Sequence, residues 1–113
     1  MNATELKQVM RTDLKAAMQA KASEEARLLR TLIAALDNAE AVPGLQDNTG
    51  SRAFGDPSGE VARLDLDYSA TQALLAKEVQ ERLSAAQEYE GLGREDQATR
   101  LRGEAQLITR YLA

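Results

Sequence analysis

The chain has 113 residues and a net charge of −4, with no Cys, His or Trp, so its length suits one domain with one modest core. The missing Cys excludes disulfides and thiol chemistry. Together with the missing His, it removes the best zinc ligands and the commonest general base. The acidic sign argues against a broad electrostatic grip on nucleic acid.

The charge is unevenly spread. Between Asp37 and Asp67 seven acids face two bases, a net −5, which leaves +1 for the rest of the chain. The acidity therefore belongs to one central segment. No run of about 18 apolar residues is present, so no membrane span is expected. The opening Met1-Asn2-Ala3-Thr4-Glu5 lacks the basic and apolar regions of a secretory signal, so a cytoplasmic location is expected.

The first helix is predicted over 3–21. Asn2 and Glu5 have capping-box spacing, and Leu6, Val9, Met10, Leu14, Ala17 and Met18 recur at threes and fours as one apolar stripe. Lys7, Arg11 and Lys15 form a basic row at i, i+4, read as a solvated face or as a contact for an RNA backbone or an acidic partner. The second helix is predicted over 24–41, with Ser23 as N-cap and Glu24 and Glu25 in the field of the helix dipole. Leu28, Leu29, Leu32, Ile33, Ala35 and Leu36 supply its buried face. The short connection at 21–23 requires an antiparallel pair.

The stretch from 42 to 68 reads as a long acidic loop, rich in Pro, Gly, Asn and Asp through residue 60, with Phe54 as its anchor. Leu64-Asp65-Leu66-Asp67-Tyr68 alternates with a period of two. It reads as an extended lead-in, or as a short edge strand. A third helix is predicted over 70–90, with Ser69 and Gln72 as its capping box and Leu74, Leu75, Val79, Leu83, Ala86 and Tyr89 facing inward. Gly91 and Gly93 close it. A fourth is predicted over 95–112, with Ala98, Leu101, Ala105, Ile108 and Leu112 on one side. Gly103 inside it either permits a close helix approach or is simply tolerated. The expected fold class is all-α: two antiparallel helical hairpins in a four-helix bundle-like single domain, 1–113, with a long acidic loop.

No constellation in the sequence suits catalysis. Ser and Thr lack a His-type base. Glu78 and Arg82, at i, i+4, read as a salt-bridged helix face. No phosphate-binding glycine loop occurs. No enzyme activity, metal or cofactor is therefore expected.

Two ordered blocks carry a family resemblance. The first is Leu14-Lys15-Ala16-Ala17-Met18 followed by Leu29-Arg30-Thr31-Leu32-Ile33-Ala34-Ala35-Leu36-Asp37-Asn38-Ala39-Glu40. The second is Lys77-Glu78-Val79-Gln80-Glu81-Arg82, then Glu88-Tyr89, Gly93-Arg94-Glu95-Asp96, Glu104 and Tyr111-Leu112. The chain resembles the GatB/YqeY family, small cytoplasmic proteins similar to the helical tail of the B subunit of the Glu-/Asp-tRNA amidotransferase. Family members usually continue beyond the Tyr-Leu pair with Pro and a further helical subdomain, and loop 42–68 matches poorly.

The resemblance implies a non-catalytic, tRNA-linked accessory module whose partner is tRNA or a tRNA-processing protein. An amidotransferase label, carbon–nitrogen ligase with glutamine as amide donor, follows by family only. The motif cations Arg30, Arg82 and Arg94, with Lys15 in support, are the residues it offers for an RNA-phosphate or partner contact. The competing reading of the arginines is internal pairing with Glu78, Glu88 or Glu104. The alternative function is a protein–protein adaptor with no nucleic-acid role.

Overall fold

A computed structural model describes residues 1–41 and 66–112. Four α-helices hold most of them: α1 (Ala3–Gln19), α2 (Ser23–Glu40), α3 (Tyr68–Gly91) and α4 (Glu95–Thr109). No strand occurs among the described residues. The chain forms two compact units, Met1–Asp67 and Tyr68–Ala113. One contains the α1–α2 hairpin and the other the α3–α4 hairpin, so the all-α class and the pairing of helices are as expected. Phe54, the edge-strand residues Leu64 and Asp65, and the loop through residue 65 lie outside the described residues.

The Asn2 cap forms as its spacing predicts. Its side chain accepts from the Glu5 N–H at 2.9 Å, and the Asn2 N–H donates to Glu5 Oε1 at 3.0 Å. The Ala3 N–H, one of the helix's orphan donors, is taken by the Leu66 carbonyl at 3.0 Å. The core of this unit is Leu6, Met10 and Ala17 of α1 against Ala26, Leu28, Leu29, Leu32 and Leu36 of α2. Ile33 and Ala35 are half-buried, and Val9 and Met18, expected inside, are exposed. The apolar stripe of α1 is thus narrower than its composition suggests.

Several boundaries differ from expectation. Helix α1 stops at Gln19 because Lys21 turns left-handed (φ 59). The Ala22 N–H then reaches back to the Ala17 carbonyl at 2.8 Å and the Lys21 N–H to Met18 at 3.1 Å, a Schellman closure. That turn delivers Ala22, at φ −86 and ψ 79, directly as the N-cap of α2. Ser23 is therefore the first helical residue rather than the cap, and the Ala22 methyl cannot accept a hydrogen bond. Helix α3 begins at Tyr68, so Ser69 lies inside its first turn and the Ser69–Gln72 box is not its cap. Helix α4 ends at Thr109. Beyond it the N–H groups of Arg110, Tyr111 and Leu112 reach back three residues, tightening out of α geometry.

The two hairpin turns have the same geometry. At the second, Gly93 takes the left-handed position (φ 78), and the Arg94 N–H bonds the Tyr89 carbonyl at 2.8 Å. Arg94, at φ −95 and ψ 72, then leads into α4 as Ala22 leads into α2. Lys21 thus holds, with a side chain, a conformation the other turn assigns to glycine.

In the second unit Leu75, Ala86, Ala98, Ala105 and Ile108 are buried. Leu74, Val79, Tyr89, Leu101 and Leu112 are half-buried, and Leu83 is exposed against expectation. Gln72 donates to the Tyr111 carbonyl at 3.4 Å, joining the start of α3 to the end of α4. A Cβ on Gly103 would meet nothing within 4 Å, so this glycine permits no close approach and is merely tolerated. Gly103→Ala is expected to stabilise the α3–α4 unit by about 1 kcal/mol, read as a rise in denaturation midpoint.

Thr71 is fully buried in the first turn of α3, and its hydroxyl has no hydrogen-bond partner among the described residues. Thr71→Val removes that desolvated hydroxyl while keeping the shape, and is expected to stabilise the unit by about 1 kcal/mol in the same assay.

Candidate functional site

The four cations singled out by the sequence fall into different environments. Arg82, half-buried on α3, is held internally. Its Nη1 donates to Glu78 Oε1 at 2.7 Å and to the Glu78 carbonyl at 3.1 Å, and its Nε donates to Glu104 Oε1 at 3.0 Å across to α4. Arg100 adds a longer contact to the other Glu104 oxygen at 3.7 Å. The Arg82 side chain is only 15% exposed, so this is a clamp between the helices of one hairpin. Glu78 and Glu104 are two of the three acids the sequence offered for internal pairing.

Lys15 on α1, Arg30 on α2 and Arg94 at the second turn are exposed and make no ion pair among the described residues. Arg94 is followed by Glu95 and Asp96, which share a shallow depression with it at the start of α4. An approaching anion meets two carboxylates there. Lys15 and Arg30 are better placed. Arg11, Lys15 and Met18 recur at four and three along α1, which puts them on one face. Met18 and Arg30 line the same hollow between α1 and α2. Lys15 and Arg30 therefore flank the same side of the first hairpin, with Arg11 one turn further along.

The basic row predicted from Lys7, Arg11 and Lys15 is broken at its first member. Lys7 is buried. Its ammonium donates to Asp37 Oδ1 at 2.7 Å and to Glu40 Oε1 at 2.5 Å, both on α2. Desolvation is the largest influence on Lys7 and works to lower its pKa. The hydrogen bonds that Lys7 donates to Asp37 and Glu40, and the negative charges of these two acids, together overcome it and hold Lys7 above its ordinary value. The signal was present in the spacing, since Ala3, Lys7, Met10 and Leu14 follow one another at four, three and four. Lys7 lies at an apolar-stripe position and its stem is covered accordingly. A lysine held as ammonium is a poor nucleophile or base.

Among the described residues, no group of three or more His, Cys, Asp or Glu could hold a metal ion. Nor is any helix there long and apolar enough to cross a membrane. Compared with protein-family models, curated proteins and solved structures, the chain matches none.

Proposed function

We propose that this chain is a non-catalytic helical module of the GatB/YqeY type, which contacts tRNA, or a tRNA-processing assembly, from the cytoplasm. The observation that carries the reading is the exposed cation set on one side of the α1–α2 hairpin, Lys15 and Arg30. Both belong to the ordered motif blocks, and both are free of acidic partners among the described residues. Arg94 is a secondary contact, tempered by Glu95 and Asp96, and Arg82 serves the fold. The amidotransferase label stays with the family resemblance.

A filter-binding assay with bulk tRNA tests this. Binding at low salt that weakens steeply toward physiological salt is expected, because phosphate contacts release counterions. Absence of binding at low salt ends the RNA reading. A second reading, a protein–protein adaptor, is favoured by the net charge of −4 and by exposed Val9, Leu83 and Leu92. It predicts that a partner set captured on the immobilised chain survives nuclease treatment.

A further inference from the structure

The two hairpin turns share one backbone geometry, so their side chains can be compared position by position. In the second hairpin, Arg102 reaches back across the seam to Glu90 at 3.0 Å. Counting from the common left-handed residue, Lys21 or Gly93, Arg30 corresponds to Arg102 and Met18 to Glu90. The first hairpin therefore keeps the arginine and loses its carboxylate. It also places Lys21 where the second has glycine, adding a second cation beside the first. Ala17 stands where the second hairpin has Tyr89, so the seam is left open.

The result is a hollow of about 280 Å³ lined by Ala17, Met18, Lys21, Ser23, Ala26 and Arg30. Its floor is the two buried alanines, Met18 forms an apolar wall, Lys21 and Arg30 supply the charge, and no acid among the described residues lines it. The volume lies just below the range of small-ligand pockets.

We propose that this hollow is a binding site for a small phosphomonoester carrying an apolar group. Arg30 and Lys21 hold the phosphoryl oxygens, and the substituent lies against Met18, Ala17 and Ala26. Planar guanidinium and a mobile ammonium are the side chains best suited to phosphate, and the apolar floor adds contact area that a bare inorganic anion cannot use. The inference goes beyond the tRNA reading. It shares Arg30 with that reading and stands without it, since it requires no polynucleotide.

The test is a backbone amide chemical-shift titration of the full chain with phenyl phosphate, inorganic phosphate and, as an apolar control, phenol. Saturable shifts are expected at Ala17, Lys21, Ser23 and Arg30 with phenyl phosphate, weaker saturation with inorganic phosphate, and none with phenol. Arg102, with its own carboxylate, and Gly93 stay unshifted as the internal control. Arg30→Gln should weaken saturation roughly tenfold, the scale of one charge-assisted hydrogen bond. Lys21→Gly removes the other cation and relaxes the left-handed residue, so it preserves the fold while also weakening binding. Shifts that rise linearly without saturation, equal shifts at the two turns, or affinity unchanged in both variants would each overturn the proposal.

Discussion

Leu32→Ala is expected to destabilise the first unit by about 3 kcal/mol, since deleting a fully buried leucine side chain forfeits its transfer free energy and leaves a partly uncollapsed cavity. Leu32 is fully buried on α2, in a core supplied chiefly by leucines with a single methionine, Met10, on α1. The described residues of this unit include no aromatic, and the half-buried Tyr89 and Tyr111 belong to the other unit, so aliphatic packing is the main source of stability. Denaturant titration followed by helical circular dichroism reads the effect. Val9→Ala, on the same unit but 39% exposed, serves as the comparison and should fall within about 0.5 kcal/mol of the parent. Equal losses for the two variants would mean that the burial pattern described for α1 and α2 is wrong.

Lys7→Met is expected to cost a similar amount, about 3 kcal/mol, for a different reason. The thioether side chain preserves the packing of the lysine stem, so the loss isolates the charge. Without the ammonium, the Glu40 carboxylate, whose side chain is 5% exposed, is left buried and uncompensated. The Asp37 arm contributes less, because that side chain is 42% exposed and water screens it. Adding Glu40→Leu to Lys7→Met should recover most of the loss, since removing both buried charges is far cheaper than removing one. If the double variant is as unstable as the single, the pair is not coupled as described.

The same cluster sets a pH dependence. Lys7 is held above its ordinary value of 10.5, so the folded state binds its proton more tightly than the unfolded chain does. The resulting stability is fully present below about pH 10.5 and declines as pH rises through the higher folded value. Stability measured against pH should therefore fall more steeply in alkali for the parent than for Lys7→Met.

The helices were legible in the sequence because their signals are local and periodic. The Asn2–Glu5 cap, the leucine stripe of α2 and the Glu78–Arg82 pair need only neighbours within one or two turns, and all three form. The errors arise where a distant or backbone-level partner decides. Lys7 reads as part of a basic row until α2 brings Asp37 and Glu40 to it, thirty residues away in sequence. Ser23 reads as a cap because its chemistry is right, but the left-handed Lys21 starts α2 one residue earlier. No propensity rule foresees a lysine at that position.

Of the site residues, Arg82 was recognisable as a charged helix residue, yet its burial depends on Glu104 of α4, which only the hairpin places within reach. The cleft beside Arg30 was invisible for the same reason: it is made by what two equivalent turns do differently. It shows only when Ala17 is set against Tyr89 and Met18 against Glu90.

The measurement that bears most directly on the proposed role is the salt dependence of tRNA affinity across single charge variants. Lys15→Gln and Arg30→Gln should each lower the magnitude of the logarithmic salt slope by about 1, as expected for the loss of one phosphate contact. Arg82→Gln should leave that slope unchanged while lowering the stability of the α3–α4 hairpin. Slopes unaffected by Lys15 and Arg30 but reduced by Arg82, or no measurable affinity at low salt, would contradict an RNA contact through the exposed face of the first hairpin.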